Sequence, residues 1–174
     1  MGDQLERMSR SEDWSERVHA ARLVARHAGE KEEIVLRLLR DPGSTAVSEA
    51  MVAALLEVRR EGAIRLILRS LGQPGEASDE TAQCMLEGLL SSELDGIEVR
   101  GNIVSVLQET ADRQELVGAL RAIAWLAPQG GFPAPPAARA HVIELANDSD
   151  ATIREAAQRA LTAFGSQWRR PDLG

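Results

Sequence analysis

Apolar residues recur along the chain with the spacing of amphipathic helices. In the stretch 153–161 they fall at positions i, i+3, i+4, i+7 and i+8, and the same frame returns near residues 47, 82 and 99. No stretch alternates apolar and polar residues long enough to indicate a strand. The pattern predicts an all-α protein with a short turn of helix near 3–8 and nine helices, near 12–28, 31–40, 45–59, 61–72, 79–91, 96–110, 113–127, 135–146 and 151–165.

Polar capping residues and prolines mark where these helices begin and end. Asp13, Asp95 and Asp112 are each followed three residues later by glutamate, which predicts capping boxes at three helix starts. Proline and glycine interrupt the pattern at 42–43 and, over the longest stretch, at 128–136. Because the other connections are short, we expect neighbouring helices to run roughly antiparallel.

Helix pairs repeat at irregular intervals near 30 residues, and small residues recur within the apolar frame. Such repetition is typical of an α-solenoid. The chain resembles the HEAT-repeat family most clearly at its two ends. The resemblance is carried by Asp13, Trp14, Arg17, Val18, Ala20 and Ala21 with the run 34–41, and by the run 148–157.

The resemblance implies a right-handed α-solenoid of about four to five HEAT-like antiparallel helix pairs. It covers most of 11–165, so we expect a single domain over 1–174, with an N-terminal extension at 1–10 and a C-terminal tail at 166–174. HEAT-like proteins are mostly protein-binding scaffolds, and a minority bind DNA, hold metals or catalyse reactions.

Composition and charge narrow the class of protein further. The 174 residues are 44% hydrophobic and 27% charged, which suits one globular domain. Lys31 is the only lysine among 20 basic residues, which we read as the mark of a GC-rich, bacterial genome. The net charge of −7 arises within 72–131, which disfavours nucleic acid and suits a basic protein partner.

The same survey gives an expected location. No apolar run approaches the roughly 18 residues that a membrane span needs. Residues 1–6 have neither the basic start nor the apolar run of a signal peptide. We therefore expect a cytoplasmic protein without membrane contact, present as a monomer or weak dimer.

The residue types that often carry chemistry are few. His19, His27 and His141 each have a glutamate one helical turn away, which is more typical of surface pairs than of a metal site. Cys84 is the single cysteine, lies off the apolar arc of its helix and has no histidine near it in sequence. We therefore predict no catalytic residue, no metal and no cofactor.

Five arginines lie off the apolar arcs of helices that, in HEAT-like arrays, would line the concave face. A row of arginines there would bind phosphates or carboxylates bidentately. The alternative is that these arginines form surface ion pairs along their own helices, since Glu33 stands four residues before Arg37 and Glu61 four residues before Arg65. The row consists of Arg37, Arg40, Arg65, Arg69 and Arg121. Arg121 belongs to it only if the helices pair regularly.

Two tryptophans and three carboxylates complete the candidate sites. Trp125 points away from the main apolar arc, one turn after the last arginine of the row, as either a contact residue for a partner or a residue packed on 135–146. Trp14 lies on an apolar arc and is predicted to be in the core. The candidate acidic surface consists of Glu109, Asp112 and Glu115.

Two functions remain open from the sequence. The first is a non-enzymatic scaffold, adaptor or regulator, such as an immunity protein, that binds a protein partner through its concave face or acidic middle segment. The second is a HEAT-like DNA-binding protein or DNA glycosylase that uses the arginine-lined face. The absence of catalytic motifs and of a basic surplus favours the first.

Overall fold

The computed structural model describes residues 2–58, 60–73, 79–91, 96–129 and 135–169. Within these ranges the chain is all-helical, as the sequence predicts, and short 3₁₀ turns extend the second and eighth helices. The ten helices of this part of the chain are α1 (Gly2–Met8), α2 (Trp14–Val24), α3 (Glu32–Leu39), α4 (Thr45–Val58), α5 (Arg60–Gly72), α6 (Asp79–Ser91), α7 (Gly96–Glu109), α8 (Arg113–Leu126), α9 (Pro136–Leu145) and α10 (Ala151–Arg169).

The predicted helix boundaries are confirmed closely, with one correction at the end of the chain. Each predicted helix matches an observed one within a few residues. The apolar periodicity and the proline positions in the sequence therefore locate the helices correctly. The last helix, predicted to end near residue 165, continues to Arg169. No helix in the described ranges is long and apolar enough to cross a membrane.

Aspartate caps begin α2 and α8. The Asp13 side chain accepts from the amide of Ser15, and the Asp112 side chain accepts from the amides of Gln114 and Glu115. Both of these predicted capping boxes are only half formed, because the amide of Asp13 donates to Ser11 Oγ and that of Asp112 to Thr110 Oγ1. The Glu115 carboxylate binds other groups described below. The box predicted at Asp95 lies outside the described residues.

The helices pack in an order that changes after α7. α2, α4 and α6 contact one another in turn, and α3, α5 and α7 do the same. The main contacts of α8 are with α5 on one side and α10 on the other, rather than with α6 or α7. α9 then contacts α7 and α10. The main contacts thus run from α5 to α8 to α10 in chain order, with α6 and α7 lying between α5 and α8 in the sequence.

Two glycines allow α8 to cross α5 at very short range. A Cβ atom at Gly118 would lie 1.8 Å from the carbonyl oxygen of Leu68, and one at Gly72 would lie 1.7 Å from the carbonyl oxygen of Gln114. Any larger side chain would push the backbones apart. The glycine pair thus sets the separation of the two helices.

The core is aliphatic, and one predicted core residue is absent from it. The buried residues of α2 lie in its second half, whereas Trp14 is its first residue and is 55% exposed. Periodicity locates a residue around the helix axis but not along it, which is why the core prediction for Trp14 is wrong. The largest fully buried side chains are Leu38, Leu39, Met51, Leu55, Ile64, Ile67, Leu68, Met85, Leu89, Ile103, Leu107 and Leu120.

The starts of α2 and α10 share one local structure. The Asp150 side chain accepts from the amide of Thr152, as Asp13 does from the amide two residues on. Arg17 and Arg154, each four residues after the capping aspartate, donate to the carbonyl oxygens six and five residues before themselves. The same hydrogen bonds therefore occur at opposite ends of the chain.

Candidate functional site

Arg65 and Arg69, two members of the predicted row, share one carboxylate. Arg65 Nη1 lies 2.9 Å from Glu115 Oε2, and Arg69 Nη2 lies 2.7 Å from Glu115 Oε1. Thr110 Oγ1 donates to Glu115 Oε2 at 2.9 Å. Glu115 stands in the first turn of α8 and is only 4% exposed. Its buried charge is therefore held by two guanidinium groups and a hydroxyl.

Further carboxylates surround the two arginines. Arg69 also binds Glu32 of α3 and has Asp112 Oδ2 at 3.6 Å. Arg65 Nη2 lies 3.4 Å from Glu109 Oε2. The hydrogen bond to Glu32 is the main cause of the raised pKa of Arg69. Together these side chains form the arginine–carboxylate network of Glu32, Arg65, Arg69, Glu109, Asp112 and Glu115.

The predicted arginine row and the predicted acidic surface thus meet in one intramolecular network. Glu115 is buried, so its placement on an acidic surface is wrong, and the reason is that α8 crosses α5 at this point. Asp112 caps α8 as well as facing Arg69. Glu109 is the most exposed member of the three predicted carboxylates. All three carboxylates predicted for the acidic surface therefore have an arginine partner within the chain.

Arg37 has a partner from a distant part of the sequence. Its Nη1 lies 3.0 Å from Glu6 Oε1 and 2.9 Å from Ser9 Oγ, which joins α3 to α1 and the turn after it. Glu33, one turn earlier on α3, is exposed to solvent. The ion pair is therefore tertiary rather than local.

Arg40 and Arg121 meet at the C-terminal end of α5. Arg40 Nη1 donates to Gln73 Oε1 at 2.9 Å, and Arg121 Nη1 donates to the carbonyl oxygen of Leu71. The last carbonyl groups of a helix lack intrahelical partners and carry the negative end of the helix dipole. Positively charged side chains are therefore stabilised at this terminus. Two members of the predicted row, Arg40 and Arg121, lie there together.

A third arginine joins this pair from α10. Burial of the Arg121 guanidinium lowers its pKa, and the positive charges of Arg159 and Arg40 lower it further, while Glu155 acts in the opposite direction. Arg159 and Glu155 form an exposed pair one turn apart, at 2.7 Å. We refer to the three arginines as the Arg40–Arg121–Arg159 cluster.

An open groove of about 390 Å³ runs between α8 and α10 beside this cluster. Ala124 lines it from α8, one turn after Arg121. Trp125 follows, half-buried and packed against the core. The α10 side of the groove is lined by Glu155, Gln158, Arg159, Thr162 and Ala163.

The other candidate side chains lie elsewhere. Cys84 is buried, its Sγ is 3.2 Å from Glu49 Oε1, and burial together with that carboxylate raises the pKa of the thiol to about 12. His141 Nδ1 lies 3.7 Å from Glu144 Oε2 on the surface of α9. Among the described residues, no group of three or more histidine, cysteine or carboxylate side chains is placed to hold a metal ion.

Arg159 and Glu32 were missed as site residues by sequence reasoning. Arg159 falls on the polar arc of the last helix, where it looked like ordinary solvated surface. Only the packing of α10 on α8 brings it beside Arg121. Glu32 stands in the first turn of α3, and nothing in its local sequence indicates a partner on α5.

No protein-family model matches this chain, and no curated protein is significantly similar to it.

Proposed function

We propose that the chain is a HEAT-like helical repeat protein that binds a protein partner and has no chemistry of its own. The repeat architecture is supported by the shared hydrogen bonds at Asp13 and Asp150 and by the two parallel series of helix contacts from α2 to α7. A right-handed solenoid and a cytoplasmic location remain part of this proposal.

The observation that carries the proposal is the way tertiary ion pairs fix the helices. Arg17 binds both oxygens of the buried Asp41, at 2.6 and 3.1 Å, across 24 residues of sequence. The arginine–carboxylate network joins α3, α5 and α8, and Arg113 joins α8 to Asp150 at the start of α10. A surface held in advance loses little conformational entropy on binding, which favours recognition by a scaffold.

The exposed surface also suits a macromolecule. Two grooves formed by described residues are open, one between α8 and α10 and one of about 910 Å³ where α1 meets the start of α2. Trp14, Leu23 and Ile143 are large apolar side chains that are about half exposed. Open grooves and exposed apolar side chains are features of protein contact surfaces.

The DNA-binding alternative is less well supported. Arg37, Arg65 and Arg69 of the proposed phosphate-binding row already bind carboxylates of the same chain. The net charge of −7 opposes the approach of a polyanion. The candidate acidic surface of Glu109, Asp112 and Glu115 is also less well supported as a contact surface, because these three carboxylates are partners of Arg65 and Arg69.

Affinity capture followed by reconstitution tests the proposal. The purified chain is immobilised and incubated at low salt with lysate from its source, and the eluate is analysed for protein and nucleic acid. We expect one protein in stoichiometric amount, which then forms a defined complex with the chain when both are pure. Recovery of nucleic acid that is released steeply by salt, without a protein, would overturn the proposal.

A further inference from the structure

The helices α2, α4 and α6 form one layer of the molecule with an exposed outer side. α4 contacts both of the others, and each of the three also packs on helices of the second series, α3, α5 and α7. The side chains that these helices leave exposed therefore lie on the side away from the second series. We refer to this side as the outer face, which carries Arg22, Arg26, Glu49, Glu57, Glu80 and Glu87.

The α2 end of the outer face is basic. Arg22 and Arg26 are both exposed, stand one turn apart and form no ion pair with any described residue. His19 precedes Arg22 by one turn. Glu16, the single carboxylate of α2, lines the groove with α1. The charges of the two arginines are therefore available for a contact outside the chain.

The opposite end of the outer face, formed by α4 and α6, is acidic. Neither helix contains an arginine, a lysine or a histidine. The Cys84 thiol donates to the Glu49 carboxylate and the Gln83 amide donates to that of Glu87, and both donors are neutral. The exposed carboxylates that form no ion pair within the described part of the chain are Glu49, Glu57, Glu80 and Glu87.

The two ends of the face are complementary in charge but are separated within one molecule. α4 lies between α2 and α6, and at roughly 8–10 Å per helix spacing it holds them well beyond ion-pair distance. A two-fold axis through α4 would place α6 of a second copy over α2 and its α2 over α6. Each favourable charge contact would then occur twice, as in any isologous interface.

The centre of the face is suited to close contact between two copies. Ala46, Ala50 and Ala53 follow one stripe on the outer side of α4, where small side chains let a second helix approach. Leu23 of α2, 45% exposed, adds an apolar contact. Three helices of this length present on the order of 500 Å² per copy, which is typical of weak interfaces.

We propose that the outer face binds a second copy of this chain and forms a weak, two-fold symmetric dimer. Arg22 and Arg26 of each copy meet the carboxylates of α6 in the other. An unrelated partner would need acidic and basic groups at matching separations, whereas a second copy carries them by symmetry. This inference goes beyond the proposed function and does not depend on it, because no other protein takes part.

Sedimentation equilibrium of the purified chain tests the dimer. At about 50 mM salt and about 100 µM protein we expect a monomer–dimer equilibrium, with a dissociation constant at least about tenfold larger at about 500 mM salt. A chain that stays monomeric at about 500 µM in low salt would overturn the inference. Masses above the dimer would indicate open head-to-tail chains and would overturn the two-fold arrangement.

Charge reversal at the two ends identifies the surface. The double variant Arg22→Glu with Arg26→Glu makes both ends acidic, and Glu80→Arg with Glu87→Arg makes both more basic, so each variant alone should be monomeric. An equimolar mixture of the two should form a heterodimer, because each end again faces its opposite charge. This gain of association could not arise from variants that fail to fold.

A matched control changes the charge outside the outer face. Glu33→Arg with Glu144→Arg reverses two exposed carboxylates, on α3 and α9, and should leave the dissociation constant unchanged within about threefold. Equal weakening by this control and by the α6 variant would show that net charge alone governs association. That result, or a mixture of the two variants that remains monomeric, would exclude the contact between α2 and α6.

Discussion

The position of Glu115 changes how the neighbouring polar side chains are interpreted. Its carboxylate is buried, yet it satisfies Arg65, Arg69 and Thr110 at once. Removing one partner from a buried ion pair is costly, because the remaining charge loses both its water and its counterion. The residue is therefore better understood as a stabilising link between α5 and α8 than as an acidic contact for a partner.

Glu115→Gln should destabilise the fold by about 2 kcal/mol, less than for a fully buried pair because both arginines are partly exposed. Urea denaturation measures the change. The matched control is Glu109→Gln, which removes an exposed carboxylate from the same arginine and should cost under about 0.5 kcal/mol. Equal effects of the two substitutions would contradict the role given to Glu115.

The limits of sequence reasoning at this scale are clear from the arginines. Arg37 and Glu33 have the spacing of a helical ion pair, but the observed partner of Arg37 is Glu6. Local spacing predicts local pairs only, whereas a long arginine side chain reaches any carboxylate that the tertiary fold brings near it. The sequence identifies both the arginines and the carboxylates as candidate residues, but it does not predict that they bind each other.

At the scale of elements, α5 and α8 can cross closely because two residues at the crossing are glycines, which have no side chain. Gly72 and Gly118 lie where the two backbones nearly touch. Glycine in a helix interior lowers helix stability, so its presence at 118, inside α8, is explained by the close approach rather than by propensity. Periodicity in the sequence marks the apolar face of α8 but gives no sign of which helix it meets.

Gly118→Ala should therefore destabilise the protein strongly. The added methyl group would overlap the carbonyl of Leu68, and backbone overlap of this kind costs about 3 kcal/mol. Gly101→Ala is the control, because a Cβ there meets nothing within 4 Å and helix propensity predicts a gain of about 0.5–1 kcal/mol. Opposite signs in thermal unfolding would confirm the crossing, and equal signs would contradict it.

The contact between α8 and α10 should make stability depend on acid. Arg113 holds the pKa of Asp150 well below its usual range, helped by the amides of Thr152 and Ile153. A pKa depressed in the folded state gives stability that is complete above the unfolded value of about 3.9 and is lost as the pH falls below it. Protonation of Asp150 thus weakens the fold in this range.

Asp150→Asn tests that dependence while keeping a residue that caps helices well. At pH 7 the variant should be less stable than wild type, and the gap in urea midpoint should narrow as the pH falls from about 4 toward 2. Glu144→Gln, an exposed carboxylate on α9, should leave the wild-type profile unchanged. A gap that is constant with pH would exclude Asp150 as the source.

For the molecule as a whole, the sequence predicts the helices well and their arrangement poorly. Apolar period, aspartate caps and prolines act within about ten residues, so the helix bounds follow from them. The contact of α8 with α5 joins segments about 50 residues apart through side chains such as Arg65 and Glu115. No local signal encodes it.

This long-range contact bears on how the molecule unfolds. In a linear repeat array each unit contacts only its neighbours, and the ends open independently. Here α8 packs on α5, and α10 packs on α8, so the C-terminal third of the chain is tied to the middle. We expect α5 and α8 to open together in one cooperative unit.

Hydrogen exchange measured by mass spectrometry tests this cooperativity. Peptides from α5 and α8 should be protected to the same extent and more strongly than peptides from α1 and α9, which make fewer contacts with the rest of the fold. In Gly118→Ala, protection of α5 should fall together with that of α8, whereas α2 should change less. Loss of protection in α8 alone would mean that the C-terminal helices open as a separate unit, and the α5–α8 crossing would not unite the fold.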